Sequence, residues 1–380
     1  MELQLLSRAE LDTCSCWTSQ FARLRKDHRY YEIVEDTLQQ DFEFNYLLLR
    51  PSNEADCAVQ PCFVINQNVF DGLQPGIRRF IEHVQRRWPV FMRIRTLMIG
   101  CAAGEGHLAS PTPDIQAQIV RTFANSIMNC ARGLGADLIT FKEFPASYRP
   151  ALRPLLDAGF SRIASFPNVS MRLEFRDFEH YCQQRLSRNE RSQIRRKLRK
   201  AAECRIRMQV VSDISDRAPE IAALYYQVHE RSSFKFERLT EDFFAQICAR
   251  MPDKARFFLW TQDERIVGFN MCMIEGSTIY SECIGLDYSI ALDAHLYFVI
   301  FRDVMNWAIQ NGFTQYGSTG LSYEPKYRFR FSLEPLDLYV RHVSPVANVL
   351  LKVLLPWLSP AQHDPVLKQF AHFRDLHREC

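Results

Sequence analysis

Residues 296–318 read LYFVIFRDVMNWAIQNGFTQYGS, and two periodicities meet in them. Leu296, Val299, Ile300, Val304, Trp307 and Ala308 recur at helical spacing, which predicts a helix over 294–311 with one buried face. Gly312 stops that helix, and Phe313 to Tyr316 then reads as a short strand that runs into Gly317 and Ser318. A helix that ends at glycine and feeds an apolar strand is one limb of an α/β crossover.

The same order stands in the first half of the chain. Thr112 can cap a helix with Pro113 at its first position, and Ile115, Ile119, Phe123 and Ile127 recur along one face. Gly133 and Gly135 end it, and a strand is predicted over 138–141. A strand precedes each helix, over 92–99 before the loop Gly100 to His107 and over 278–284 before 284–289. Further strands are predicted at 43–50, 62–65, 169–175, 207–211, 256–261 and 265–274, a polar loop at 51–57, and helices at 76–87, from Tyr148 to Gly159, at 218–230 and at 241–251. The chain therefore reads as two topologically similar α/β halves.

With 380 residues, 47% hydrophobic, 24% charged and only 14 glycines, the composition excludes disordered, collagen-like and coiled-coil classes and suits two or three domains. A net charge of +3 is too weak a field to argue for nucleic acid. Its distribution is more informative: eight basic residues and one acid, Glu190, lie between Arg185 and Lys200, so the remainder is mildly acidic. The start has no basic stretch followed by an apolar run, so free thiols in a reducing, cytoplasmic setting are expected for the 12 cysteines. Their spacing fits no zinc finger or ribbon, and no metal site is expected. Residues 346–358 form the longest apolar run, interrupted by Lys352. Its length suits a buried helix, and it also suits a segment lying in a membrane interface, placing the protein peripherally on the inner face.

Three stretches carry a resemblance. Residues 186–201, LSRNERSQIRRKLRKA, are similar to a basic helix that opens the second half in tandem GNAT-fold N-acyltransferases related to the Fem-type aminoacyltransferases and their predicted N-acyltransferase relatives. Residues 307–318 are similar to that branch's helix, glycine and strand signature, and 323–331, YEPKYRFRF, occupy the place of a lysine ahead of its final strands. The resemblance, over 41–343, implies an α/β (α+β) fold of two tandem GNAT-like domains, mixed sheets flanked by helices, with a C-terminal helical extension. The expected organisation is a first domain over 1–175, a basic linker helix over 176–204, a catalytic domain over 205–343 and a helical tail over 344–380.

It also implies transfer of an acyl or aminoacyl group to an amine by direct attack. No resident cofactor follows; the co-substrate is an acyl-CoA or an acyl-carrier thioester, with an acyl carrier protein as partner or a charged tRNA as the donor. Gly100, Gly104 and Gly106 resemble the GNAT donor loop, although their spacing departs from it and Pro111 lies between loop and helix. The corresponding stretch 284–289 lacks that glycine run.

In the residues themselves, period-two alternation sets Tyr280 and Glu282 on one face of their strand, and a carboxylate in mid-sheet is costly unless it works or is paired. Glu282 is accordingly the candidate general base, directly or through a water, with His295 as a second candidate and a capping role as its alternative. Gly317 and Ser318 end a strand where ligands of α/β sheets sit, and Tyr323, Lys326 and Arg328 bring a phenol and cations there. A phenol or ammonium can protonate a leaving group or hold an oxyanion, whereas 326–330 also reads as an alternating edge strand. Arg195 and Arg199 belong to a stripe of arginines suited to phosphate, or to a solvated linker helix. The competing class is an inactive GNAT-like module that docks on anionic membrane or RNA through this helix.

Overall fold

The computed structural model describes residues 2–11, 14, 16–50, 57–68, 93–109, 112–232 and 234–377. The loop expected at 51–57, apart from Cys57, the helix expected at 76–87 and Pro111 lie outside the described residues. The strands are β1 (Glu2–Leu6), β2 (Glu43–Arg50), β3 (Ala58–Asn68), β4 (Arg93–Ile99), β5 (Leu138–Pro145), β6 (Ser161–Ala164), β7 (Asn168–Arg172), β8 (Arg207–Val211), β9 (Ala255–Gln262), β10 (Arg265–Glu275), β11 (Thr278–Leu286), β12 (Gln315–Ser318), β13 (Ser332–Glu334) and β14 (Leu336–His342). The helices that matter for the site are α1 (His28–Leu38), α2 (Pro113–Gly133), α3 (Arg188–Glu203), α4 (Leu296–Gln310), α5 (Tyr323–Arg328) and α6 (Pro345–Leu354).

Two seven-stranded sheets are built, in the orders β1-β2-β3-β4-β5-β14-β6 and β8-β9-β10-β11-β12-β7-β13. Read side by side, the orders correspond position by position. In each, one parallel pair, β4 with β5 and β11 with β12, stands beside antiparallel neighbours. A parallel pair needs a crossover, which the amphipathic helices α2 and α4 supply. Ile119, Phe123 and Ile127 of α2 and Leu296, Val299, Ile300, Val304 and Ala308 of α4 are buried, as their spacing predicts. Trp307 is half-buried, edge-on to Phe258.

The two compact units are not consecutive segments. One comprises Met1–Ala22, Gln39–Pro167 and Glu334–Cys380, the other Arg23–Leu38 and Asn168–Leu333. β7, expected in the first domain, pairs with β12, and β14, expected in the catalytic domain, pairs with β5 and β6. The basic helix α3 belongs to the second unit, where a linker was expected, and α1 joins that unit from the N-terminal part of the sequence. Alternation marks a segment as a strand, but every strand offers the same backbone groups to a partner, so it does not say which edge the strand joins.

Three further differences concern single elements. Cys16 and Cys57 form a disulfide where free thiols were expected, while Cys14, Cys62, Cys182, Cys248 and Cys272 are free and buried. Residues Tyr323–Arg328 are helical, so Lys326 is not on an edge strand. Helix α6 has no buried residue, against the packed alternative, and among the described residues of the apolar run only Leu355, beyond the helix end, is buried.

Candidate active site

In the second unit, β11 and β12 pair only from Thr278 opposite Gln315 to Ser281 opposite Ser318. β11 continues to Leu286 with β10 as its neighbour, so the parallel pair forks beyond Ser281. At the same point β11 carries a bulge: Met271 faces Cys283 and Cys272 faces Ser281, which leaves Glu282 as the extra residue. A bulge re-aims the side chain it carries, and here that side chain is a carboxylate at the fork.

Glu282 is not a free base in solvent. Its side chain is only 5% exposed, with Oε1 2.5 Å from Arg25 Nε and Oε2 3.0 Å from Lys26 Nζ. The Arg25 guanidinium also lies 3.7 Å from the centre of the Tyr280 ring, which confirms that Tyr280 and Glu282 share a face. Both cations come from the segment just ahead of α1. Asp27 anchors that segment by ion pairs to Arg29 at 2.8 Å and Lys254 at 3.0 Å. Gly317 makes room for Tyr280, since a Cβ there would fall 2.4 Å from the ring.

On the other arm of the fork, the Thr319 N–H donates to Ser281 O at 3.3 Å and Thr319 Oγ1 donates to Glu282 O at 3.1 Å. Lys326 is buried beneath the turn that follows. Its Nζ donates to the carbonyls of Thr319, Gly320 and Leu321, at 2.5, 3.3 and 2.8 Å. Leu321 and Ser322 hold positive φ of 68° and 48°, so the lysine clamps a turn that their side chains disfavour. Burial pushes the Lys326 amine down to about 7. Its hydrogens are engaged by carbonyls, which makes it a positioning group for the turn and not a donor to an oxyanion. Tyr323 is buried at the start of α5, its ring 5.8 Å from Lys326 Nζ.

His295 stands at the N-cap position of α4 with φ of 46°, and its side chain makes no capping hydrogen bond. Burial holds its imidazole below the ordinary range, and Lys197 and Lys200 push the same way. Lys197 lies 3.8 Å over the Phe298 ring, and Lys200 Nζ is 3.4 Å from Asp293. Burial, with Arg328 and Arg196 close by, also lowers the Lys197 ammonium. A helix start carries partial positive charge, and here cations are added to it, so this end of α4 favours an anion.

The other expected residues fall elsewhere. Arg195 pairs with Glu179 and Arg328 with Glu324, both exposed, and Arg199 is exposed. The face of α3 turned to α4 is that of Lys197 and Lys200, not the predicted arginine stripe. In the first unit the loop from Gly100 is consumed by packing. The Gly100 N–H donates to Pro61 O at 3.0 Å, the Gly106 N–H to Glu143 O at 3.1 Å, and Lys142 Nζ to Gly104 O at 2.9 Å. A Cβ on Gly106 would lie 2.5 Å from Lys142 O, so this glycine answers to close approach of a strand. Sequence reasoning missed Arg25, Lys26, Lys197, Lys200 and Thr319. The only available signal was the spacing of Lys197 and Lys200 on one helix face.

Residues 188–326 match the family described as Acetyltransferase (GNAT) domain, a span that runs from the basic helix to Lys326. No curated protein matches the sequence. Among solved structures the chain is similar to FemX, at 12% identity over 89% of this chain and 97% of that one, with a TM-score of 0.52. It is similar to L-PGS from Bacillus licheniformis, at 12% identity, 87% and 95% coverage and a TM-score of 0.50. A conserved protein of unknown function from Bacteroides thetaiotaomicron aligns at 11% identity, 90% and 98% coverage and a TM-score of 0.50. The second unit contains a match to the GNAT acetyltransferase domain, and the chain shares its two-sheet fold with FemX over most of both lengths.

Proposed function

We propose that the second unit is an N-acyltransferase that moves an acyl group from an activated, phosphate-bearing donor to an amine. The observation that carries this reading is the fork of β11 and β12, with Glu282 bulged onto one arm and the turn clamped by Lys326 on the other. Strands that part leave backbone groups free to orient a donor, and the acceptor amine then meets the acyl carbon without a covalent enzyme intermediate.

In the step proposed, the amine nitrogen bonds to the acyl carbonyl carbon, and the carbon–sulfur bond of a thioester, or the carbon–oxygen bond of an ester, breaks. The tetrahedral adduct first carries its proton on nitrogen, where it is far more acidic than the parent ammonium. A weak base is then sufficient. Glu282, held between Arg25 and Lys26, is that base, and a water molecule links its carboxylate to the adduct. The leaving thiolate or alkoxide takes a proton from solvent. Lys197, Lys200 and His295 at the start of α4 receive the donor's phosphate, a feature that coenzyme A, a phosphopantetheine carrier and a charged tRNA all share.

The test is to mix the purified protein with acyl-CoA, acyl-carrier and aminoacyl-tRNA donors and a panel of amines, following donor release and product mass. Amine-dependent release with a product heavier by one acyl group supports the reading. Donor binding without release across the panel favours an inactive module.

A further inference from the structure

Helix α6 turns its apolar face away from its own unit. Asn348 marks the inward side: its Nδ2 donates to Gly159 O at 3.0 Å and its Oδ1 accepts from the His342 N–H at 2.9 Å. On the opposite side Val346, Val349, Leu350 and Val353 recur at the spacing of one helical stripe, with Leu354 beside them and Trp357 continuing the stripe past the helix end. These six side chains are 56–76% exposed. A contiguous apolar ridge of this kind marks a surface built to be covered.

Charge and shape indicate what covers it. Between residues 338 and 363 the sequence contains no Asp or Glu, and it holds Arg341, Lys352, His342 and His363. Arg132 adds a further cation close to Arg341. A second copy of the chain would bring the same cations to the same margin, where like charges repel. An anionic bilayer complements them, and an aromatic at the end of an apolar stripe flanked by lysine suits the headgroup boundary. Among the described residues no helix is long and apolar enough to cross a membrane, so α6 would lie in the interface.

We propose that α6 and Trp357 form a docking surface for an anionic lipid membrane, with the Val346 to Trp357 stripe inserted and the exposed Lys352 at the headgroups. This surface lies in the first unit and requires no acyl transfer, so it is tested without substrate.

The full-length protein is sedimented with phosphatidylcholine vesicles prepared with and without phosphatidylglycerol. It should pellet with the anionic vesicles, and Trp357 emission should shift to the blue, a shift that Trp357→Phe removes. Val349→Ser with Leu350→Ser should weaken binding at least tenfold with thermal unfolding unchanged, because both side chains already stand in water. Lys352→Gln should weaken it about fivefold at low salt. Protein that stays in the supernatant with both vesicle types overturns the proposal. So does vesicle binding that the Val349 and Leu350 substitutions leave untouched. A dimer that dissociates on the same substitutions, with no vesicle binding, would instead make α6 a contact between copies.

Discussion

Arg25 Nε lies 2.5 Å from Glu282 Oε1, and both side chains are almost wholly removed from water. With Lys26 on the other carboxylate oxygen, the fork of the second sheet contains one buried anion between two buried cations. Breaking such a group costs more than forming it gains, because the survivor is left charged and unsolvated.

Glu282→Gln should therefore lower the unfolding free energy by about 3 kcal/mol, measured by denaturant titration. Adding Lys26→Met should recover part of that loss by removing one of the two cations from a site that no longer holds the carboxylate. If Glu282→Gln is as stable as the parent, the carboxylate is not engaged as described, and its effect on turnover could then be read without correction.

Lys326 gives a pH dependence whose sign is fixed. Its amine is pushed down to about 7 in the folded protein, against an ordinary lysine value near 10.4 in the unfolded chain. Between these values the unfolded state binds more protons, so this lysine's contribution to stability improves as pH rises from about 7 towards 10 and is poorest below 7. The stability of the parent relative to Lys326→Met should rise over that window. A difference that is flat with pH would show that the amine titrates normally.

His295 should titrate below the usual histidine value in the free protein, because burial, Lys197 and Lys200 all oppose its protonation. Lys197→Ala should raise its pKa, and a phosphate-bearing donor at the start of α4 should raise it further. NMR titration of the imidazole checks both. A pKa unmoved by Lys197→Ala or by donor would remove this end of α4 from the donor site.

Gly317→Ala should destabilise the second unit by about 1–3 kcal/mol, since the new methyl meets the Tyr280 ring at 2.4 Å. Tyr280→Ala in the same chain should relieve most of that cost, which a double-mutant cycle measures. Additive losses would place the two residues out of contact.

What the sequence makes legible is local. The crossover helix and its glycine stop follow from α4's apolar spacing, Glu282 stands out because charge is costly in a sheet, and Lys326 stands out through the resemblance, which has a lysine at that place. Arg25 and Lys26 do not stand out, because an Arg-Lys-Asp run far upstream has no periodicity that points to β11. The exchange of β7 and β14 is likewise invisible, since edges are chosen by tertiary pairing. The alternation in 326–330 suggests a strand, yet the three carbonyls gathered by Lys326 favour a helical turn there.

The most direct measurement is a single turnover of acyl donor and amine by the folded protein, comparing the parent with Glu282→Gln at a denaturant-free temperature where both are native. The fork as described predicts amine-dependent release of the donor's leaving group, with release slowed by Glu282→Gln while donor binding persists. Equal rates in the two proteins, or donor that binds and is never cleaved, would contradict it.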